Sequence, residues 1–527
     1  MAPLRDATPE PGDRSRSRGS VDLVGAGPGD PGLITRLGAE CLAQAEVVVY
    51  DHLVNPRLLD LAPASAELIL AGKRAGKCVL RQPEINALLV DLAKAGRRVV
   101  RLKGGDPFLF GRGAEEAEAL AAEGIAFRVV PGVTAGLGAT AYAGISVTHR
   151  DAASAVAFVT GHGGGDGVPS RVDWAALAGF PGTLVIYMGV ASLRASCDAL
   201  IAVGKPRDTP SALVHSGSLA SQRTITAPLG DLADAVERSG VGSPAIVVVG
   251  EVVDRRAPLA WFERLPLSGQ TIVVTRPVGE ADGSARLLEA LGADVLIAPT
   301  VQILPPLDHR PLDSALDRLH EFDWLVFTSA NGVRHFLNRL MATGRDLRGL
   351  GRVKLAAIGP ATAEALASYH LRADLVPASY RSEALADALL PQVRGERVLL
   401  ARADRGRTVL KDELERVAHV EQVAVYRNVD AVDLPPRVVE RIAEGSVDWI
   451  TLTSPAIANR LYALLPDAAR ARIGGVVRLA SISPVTSAAT RELGWTVAAE
   501  AEVYTWDGVV RAIVNGTRDT SPAPARE

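Results

Sequence analysis

The sequence predicts an α/β protein of two successive modules, each with two α/β lobes, the second assembled from internally repeated parallel-sheet units. Three observations predict this. From Val21 to about Phe262, short β-branched runs (VDLV, EVVVY, ELIL, RVVRL, FRVV, AVAFV, TLVIYM, SALV, AIVVVG) alternate with Ala- and Leu-rich helical stretches, the pattern of layered α/β sheets. The polar segment ERLPLSGQ, Glu263 to Gln270, is then followed at once by a fresh strand, TIVVT, as a linker between domains would be. Finally, the second half repeats itself. DWLVFTSANGV starts at Asp323 and DWITLTSPAIA starts at Asp448, while AAIGPATAEAL with Ile358 is echoed by ASISPVTSAAT with Ile482, and Tyr380 by Tyr504.

These signals set the expected boundaries: a disordered tail over 1–20, a first module over 21–262 whose lobes divide near 135–150, a linker over 263–270, a second module over 271–514, and a disordered tail over 515–527. In the second module one lobe is expected from 271–302 plus 430–514 and the other from 303–429. A chain of 527 residues is too long for a single ordinary core.

Composition narrows the partners. Fifty-seven basic residues against sixty acidic ones leave a net charge of −3, no footprint for nucleic acid or an anionic membrane, so a small molecule is the expected partner. Cys41, Cys78 and Cys197 are far apart and form no C-x-x-C, which predicts neither a disulfide framework nor a thiolate metal site. No apolar run approaches the ~18 residues of a membrane span, and the first twenty residues lack a signal peptide's apolar region. A cytoplasmic protein is expected.

In chain order, the first candidate is VDLVGAGPGDPG, Val21 to Gly32. A dinucleotide loop needs G-x-G-x-x-G. Here Gly25 and Gly27 are followed by Asp30, and Pro28 removes an N–H that a phosphate would use. A phosphate is therefore disfavoured, and a plain βα connection and a ligand loop both remain open. Asp51 follows the strand VVVY, and Lys73 lies in AGKRAGK. In VVRLKGGDPFLFGRG, Gly104 and Gly105 permit close backbone approach and Asp106 offers an acceptor to a ligand hydroxyl or amine. Arg112 lies in the same stretch, and Arg150 and His162 follow in YAGISVTHR and VTGH. In the second half, Thr328-Ser329 and Thr453-Ser454 end apolar strands, where α/β sheets present ligand-binding groups; each pair also reads as a helix cap.

The ordered run VDLVGAGPGDPGLIT, VVYDHLV, GKRAGK, RLKGGDPFLFGRG, VPGVTA, YAGISVTHR, YMGV and SPAIVVVGEVV resembles the uroporphyrinogen-III C-methyltransferases of the tetrapyrrole methylase family over about Val21 to Phe262. The second half, through TRP, FTSANGV, AIGPAT, VYRN, LTSP and the Tyr504-Thr505 ending, is similar to the uroporphyrinogen-III synthases over about Thr271 to Val514. The sequence departs from the first pattern at Ala71, Val133 and HSGSL, and from the second at Ser483, where a glycine is usual; a changed turn conformation is expected there.

The resemblance implies a cytoplasmic bifunctional enzyme, a homodimer through its methyltransferase half, that cyclises hydroxymethylbilane to uroporphyrinogen III and methylates that product twice to precorrin-2, feeding sirohaem or cobalamin. It implies S-adenosylmethionine as methyl donor, held by Pro28, Gly104, Gly105, Asp106, Thr134, Ala135, Met188, Ala212 and Ala245, and neither metal nor NAD. NAD is not expected: Gly25 and Gly27 are followed by Asp30, and the overlapping G-x-G-x-x-G of Gly27, Gly29 and Gly32 carries two prolines, Pro28 and Pro31, that offer a phosphate no N–H. It further implies Asp51 as a base, Lys73 as its partner and Arg112 as a rival catalytic group, with Arg112, Arg150 and His162 toward the acidic tetrapyrrole. In the synthase half, Tyr426 is the implied acid. Arg276, Thr328, Ser329, Arg402, Thr453, Ser454 and Thr486 are the implied carboxylate binders. Two other readings stand beside this one: a related methylase acting on a protein or ribosomal RNA, against which GGDPFLFGRG and YAGISVTHR argue, and a synthase half reduced to binding or regulation.

Overall fold

The computed structural model describes residues 19–71, 73, 74, 77, 78, 80–161, 172–405 and 408–518. The chain divides into two compact units, Met1–Gln270 with Glu289–Asp294, and Thr271–Leu288 with Val295–Glu527. No described helix is long and apolar enough to cross a membrane.

In the first unit, strands Ser20–Gly25, Val47–Tyr50, Glu67–Leu70, Arg98–Lys103 and Ala126–Val130 form a wholly parallel sheet. Glu67–Leu70 and Ala126–Val130 are its edges and Arg98–Lys103 its centre. Val47, Val48 and Val49 are each 0% exposed, as expected of strands covered on both faces. Helix Ala135–Tyr142 leads to a second sheet, in which Val156–Thr160 and Thr183–Tyr187 run parallel while Pro210–His215, Arg223–Pro228 and Ala245–Val249 complete an antiparallel arrangement.

Residues 263–270, expected as a linker, carry structure of their own. Glu263 accepts hydrogen bonds from Gln222 Nε2 (2.9 Å) and Thr224 Oγ1 (2.5 Å), pairs with Arg256 at 2.7 Å, and Leu267 is fully buried. The polar composition of this stretch reflects ion pairing, and the compact-unit boundary falls after Gln270.

The second unit holds two five-stranded sheets. One contains Asp294–Ile297, Thr271–Val274, Trp449–Leu452, Arg478–Ser481 and Ala499–Glu500; the other contains Val301–Leu304, His419–Asp430, Arg397–Ala403, Trp324–Phe327 and Lys354–Ala357. Val301–Leu304 is antiparallel to His419–Asp430, and that strand, Arg397–Ala403, Trp324–Phe327 and Lys354–Ala357 run parallel in series. The sequence repeat is a structural repeat. Trp324 and Trp449 are 1% and 0% exposed, and each lies under a cation from the neighbouring strand, Lys354 at 5.2 Å and Arg478 at 4.2 Å. Asp323 and Asp448, just before these strands, each accept a backbone N–H, from Arg397 and Thr271.

Candidate functional sites

The first unit gathers its loops around the start of helix Ala135–Tyr142. Gly27 and Gly105 exchange backbone hydrogen bonds (3.2 and 2.7 Å), both at positive φ, +79° and +67°. A Cβ on Gly132 would lie 2.2 Å from the Gly105 oxygen, and one on Gly138 would lie 2.6 Å from Pro28 Cγ, so three loops and the helix meet at distances only glycine permits. Asp30 closes this turn. Its Oδ1 accepts from Gly32 N–H (2.7 Å), its Oδ2 accepts from the Tyr142 hydroxyl (2.6 Å), and its own N–H donates to Ser218 Oγ (3.0 Å). Burial, followed by the Asp30 contact, raises the Tyr142 pKa. A carboxylate in the third-glycine position ties the turn to the end of helix Ala135–Tyr142, while the backbone N–H of the same residue reaches the second sheet's loop.

Pro28, Gly105, Asp106, Thr134 and Ala135 meet here, with Gly104 beside Gly105 in the chain and Met188 following Tyr187. Asp106 holds the cradle's own backbone, accepting from Phe108 N–H (2.8 Å) and Gly132 N–H (3.0 Å). Thr134, 8% exposed, shares a 2.7 Å hydrogen bond with the Tyr187 hydroxyl, which also accepts the Gly136 N–H at 2.7 Å. Sequence reasoning missed Tyr187, whose only signal was a polar tip inside the apolar run TLVIY. Met188 is 50% exposed at φ +53°. A large apolar side chain in a left-handed backbone marks a functional position. Ala212 and Ala245 do not join them by their side chains. Ala212 is 0% exposed in the core with Ala139 and Val214, while Ala245 packs with the Leu184 and Ile186 cluster on the sheet's other face.

Asp51, at the end of Val47–Tyr50, is bound by Arg101 Nη2 at 2.5 Å. Its established partner is therefore Arg101. The side chain of Lys73 and all of His162 lie outside the described residues. Arg101 Nε (3.1 Å) and Lys103 Nζ (2.9 Å) both reach Glu116 Oε1. Burial, then the Arg101 charge, lowers the Lys103 pKa. Arg112 sits at φ +59° and clasps Glu115 bidentately at 2.8 and 2.7 Å. That pairing raises its pKa, and the guanidinium stays charged. Arg150 is exposed.

In the second unit the candidates fall into two groups, one at each sheet's strand ends. Ser329 caps helix Ala330–Ala342 by accepting the Gly332 N–H (2.9 Å) and shares a 3.0 Å hydrogen bond with the Tyr426 hydroxyl. Tyr426 is 6% exposed, with the His335 ring stacked on it at 5.5 Å. Burial, then the Arg334 charge, lowers the His335 pKa, favouring the neutral ring. Thr328 follows the strand Trp324–Phe327, and Arg402, 8% exposed, follows Ala401, the partner of Phe327. In the other group Arg276 donates to Ser284 Oγ (3.1 Å) and lies 5.6 Å over the Trp506 ring, near Thr453. Ser454 caps helix Pro455–Leu464, so the capping reading of both serines is correct. Thr486 is buried against the Ser483 cap, 3.2 Å between hydroxyls. The changed conformation expected at Ser483 does not occur. Its φ −162°, ψ 160° are extended backbone open to any residue, near those of Gly359 (−173°, −179°) and matching Ser329 and Ser454.

A methylase fold followed by a synthase fold defines a bifunctional protein of tetrapyrrole biosynthesis. The family model for tetrapyrrole (corrin/porphyrin) methylases matches residues 20–233 and that for uroporphyrinogen-III synthase HemD matches 282–511. A Ruminiclostridium josui protein described as porphyrin biosynthesis protein HemD is 36% identical over 455 residues, 85% of this chain and 89% of the relative. The chain belongs to the family that joins a tetrapyrrole methylase to a uroporphyrinogen-III synthase. Siroheme synthase 1 of Yersinia enterocolitica is 51% identical over 259 residues, 49% of this chain and 54% of that protein, so the chain spans about half the length of the siroheme synthases it matches. The solved uroporphyrin-III C-methyltransferase of Thermus thermophilus, complexed with S-adenyl homocysteine, is 40% identical, covers 44% of this chain and 92% of its own, and superposes with a TM-score of 0.39.

Proposed function

We propose that the second unit cyclises hydroxymethylbilane to uroporphyrinogen III, and that the first methylates this product twice to precorrin-2 with S-adenosylmethionine. The meeting of Pro28, Gly105 and Thr134 in one cradle carries the reading. The cradle fits such a donor: Gly27 and Gly105 leave backbone bare, and a Cβ on Gly104 would meet only Leu53 Cβ at 3.5 Å. When bound, the donor supplies an electrophilic methyl group. The protein's part is to hold the pyrrole carbon in line with it, and positioning of this kind is worth up to ~7–11 kcal/mol. Asp51 then takes the proton that leaves the substrate, while Arg112 and Arg150 hold its acidic side chains.

In the synthase reaction, loss of hydroxide from the bilane leaves a delocalised cation. Ser329 and Tyr426 orient the chain for closure, with Tyr426 assisting the departure, and the terminal ring closes with inversion. The extended Ser483 backbone supports an active synthase over a regulatory remnant. The reading extends to a cytoplasmic homodimer through the first unit, checked by light scattering of the full chain. Hydroxymethylbilane supplied with and without S-adenosylmethionine, with products separated by isomer and methylation, tests both activities. Isomer III without donor and dimethylated product with it are expected; isomer I, the product of closure without inversion, in the first case would overturn the synthase reading.

A further inference from the structure

A parallel-sheet interior is an expensive place for charge, yet the central strand Arg98–Lys103 turns Arg101 and Lys103 inward from alternate positions on the same face as Val99. Arg101 is 2% exposed, Lys103 2% and Glu116, from the overlying helix Gly113–Ala122, 0%. Buried ion pairs are often no better for stability than apolar packing, so stability alone does not explain four charged groups in one network. Three donors converge on one oxygen: Arg101 Nε, Lys103 Nζ and Gln82 Nε2 (3.2 Å) all reach Glu116 Oε1, whereas Oε2 has no partner among the described residues. Of the four charged groups only Asp51 reaches toward solvent, 29% exposed at its side chain.

We propose that Glu116, with Lys103, is a positioning residue for Asp51, acting through Arg101. The guanidinium is planar and rigid, so fixing Nε on Glu116 fixes where Nη2 points. That direction is the Asp51 carboxylate, 2.5 Å away. Lys103 holds Glu116 from the far side and immediately precedes Gly104, so the strand that presents the cradle's glycines also aims the proton acceptor. The inference rests on Asp51 being that acceptor.

The test uses the full chain and uroporphyrinogen III with S-adenosylmethionine, comparing wild type, Asp51→Asn, Glu116→Gln and Glu116→Gln/Lys103→Met. Glu116→Gln is expected to lower kcat about 10²-fold, the scale of a 1 Å misplacement, with KM and the Kd for S-adenosylhomocysteine unchanged. It also strands two buried cations and lowers Tm. The double variant removes one cation and restores Tm, while kcat stays low because Arg101 has lost its anchor. Recovery of kcat together with Tm, or an unaltered kcat in Glu116→Gln, would overturn the positioning role. An Asp51→Asn enzyme as fast as wild type would instead overturn the base assignment, and no methylation by wild type would overturn the reading of the whole unit.

Discussion

The two units assemble their candidate sites from different materials. In the first, Phe110, Arg112, Met188, Ser216 and Ser218 all adopt positive φ in loops around the cradle, and buried charges stand behind Asp51. Such backbone costs about 1–3 kcal/mol per residue. In the second, His370 is the only non-glycine residue at positive φ among the described residues. Its candidates sit on relaxed strand-to-helix junctions: Ser329, Ser454 and Ser483 share one extended capping geometry. On the proposed reading, moving a methyl group and a proton demands fixed atoms, which strain and buried charge would supply, and closing a flexible bilane demands oriented hydrogen bonds, which capped helix ends would supply at little conformational expense.

Single substitutions separate these designs. The largest effect is expected at Gly132: Gly132→Ala drives a Cβ into the Gly105 oxygen, and overpacking of ~1–3 kcal/mol should cut methylation about 10²-fold while leaving cyclisation intact. Loss of both activities would show that the units are not independent. Asp106→Ala removes the acceptor of two loop N–H groups and should weaken S-adenosylhomocysteine binding by ~1–3 kcal/mol in a calorimetric titration; unchanged affinity would remove the cradle from the cofactor site. Tyr187→Phe strands the Gly136 N–H and should destabilise the first unit by about 1 kcal/mol, read as a Tm shift. Tyr426→Phe should slow ring closure without abolishing it, at about 1 kcal/mol for one hydroxyl contact. Product no richer in isomer III than spontaneous closure would make Tyr426 indispensable. Smallest is Ser483→Gly, a cap change of a few tenths of a kcal/mol, with cyclisation rate unaltered.

Much of this architecture was legible from strand patterns alone. The β-branched runs became the strands, and the Asp-Trp repeat became two equivalent strand pairs because local pattern and burial agree there. The cradle's glycines were legible as well, since close approach admits few other residues. Long-range partners were harder. The clasp of Asp30 by Tyr142 and Ser218, 112 and 188 positions away, leaves no local trace, and neither does the reach of Tyr187 to Thr134. Arg101 did leave one: two cations spaced i, i+2 in an apolar strand must share a buried face, which predicts a buried acid to meet them. Ser483 was misread because residue identity constrains an extended cap only weakly, and which sheet face Ala212 and Ala245 occupy left no mark because a small residue in a buried strand does not reveal its face.

The clasp at Asp30 bears on how the first unit breathes. Its carboxylate and amide join the first sheet's leading turn to the helix between the sheets and to the Ser218 loop, so a wide hinge opening would have to break both bonds at once. Exchange of spent donor for fresh must then proceed by small excursions of the surrounding loops. In hydrogen–deuterium exchange, the Asp30 amide would be among the slow ones beside a site that turns over continually, its protection scarcely altered by ligand, whereas the amides of 108–112 would change sharply.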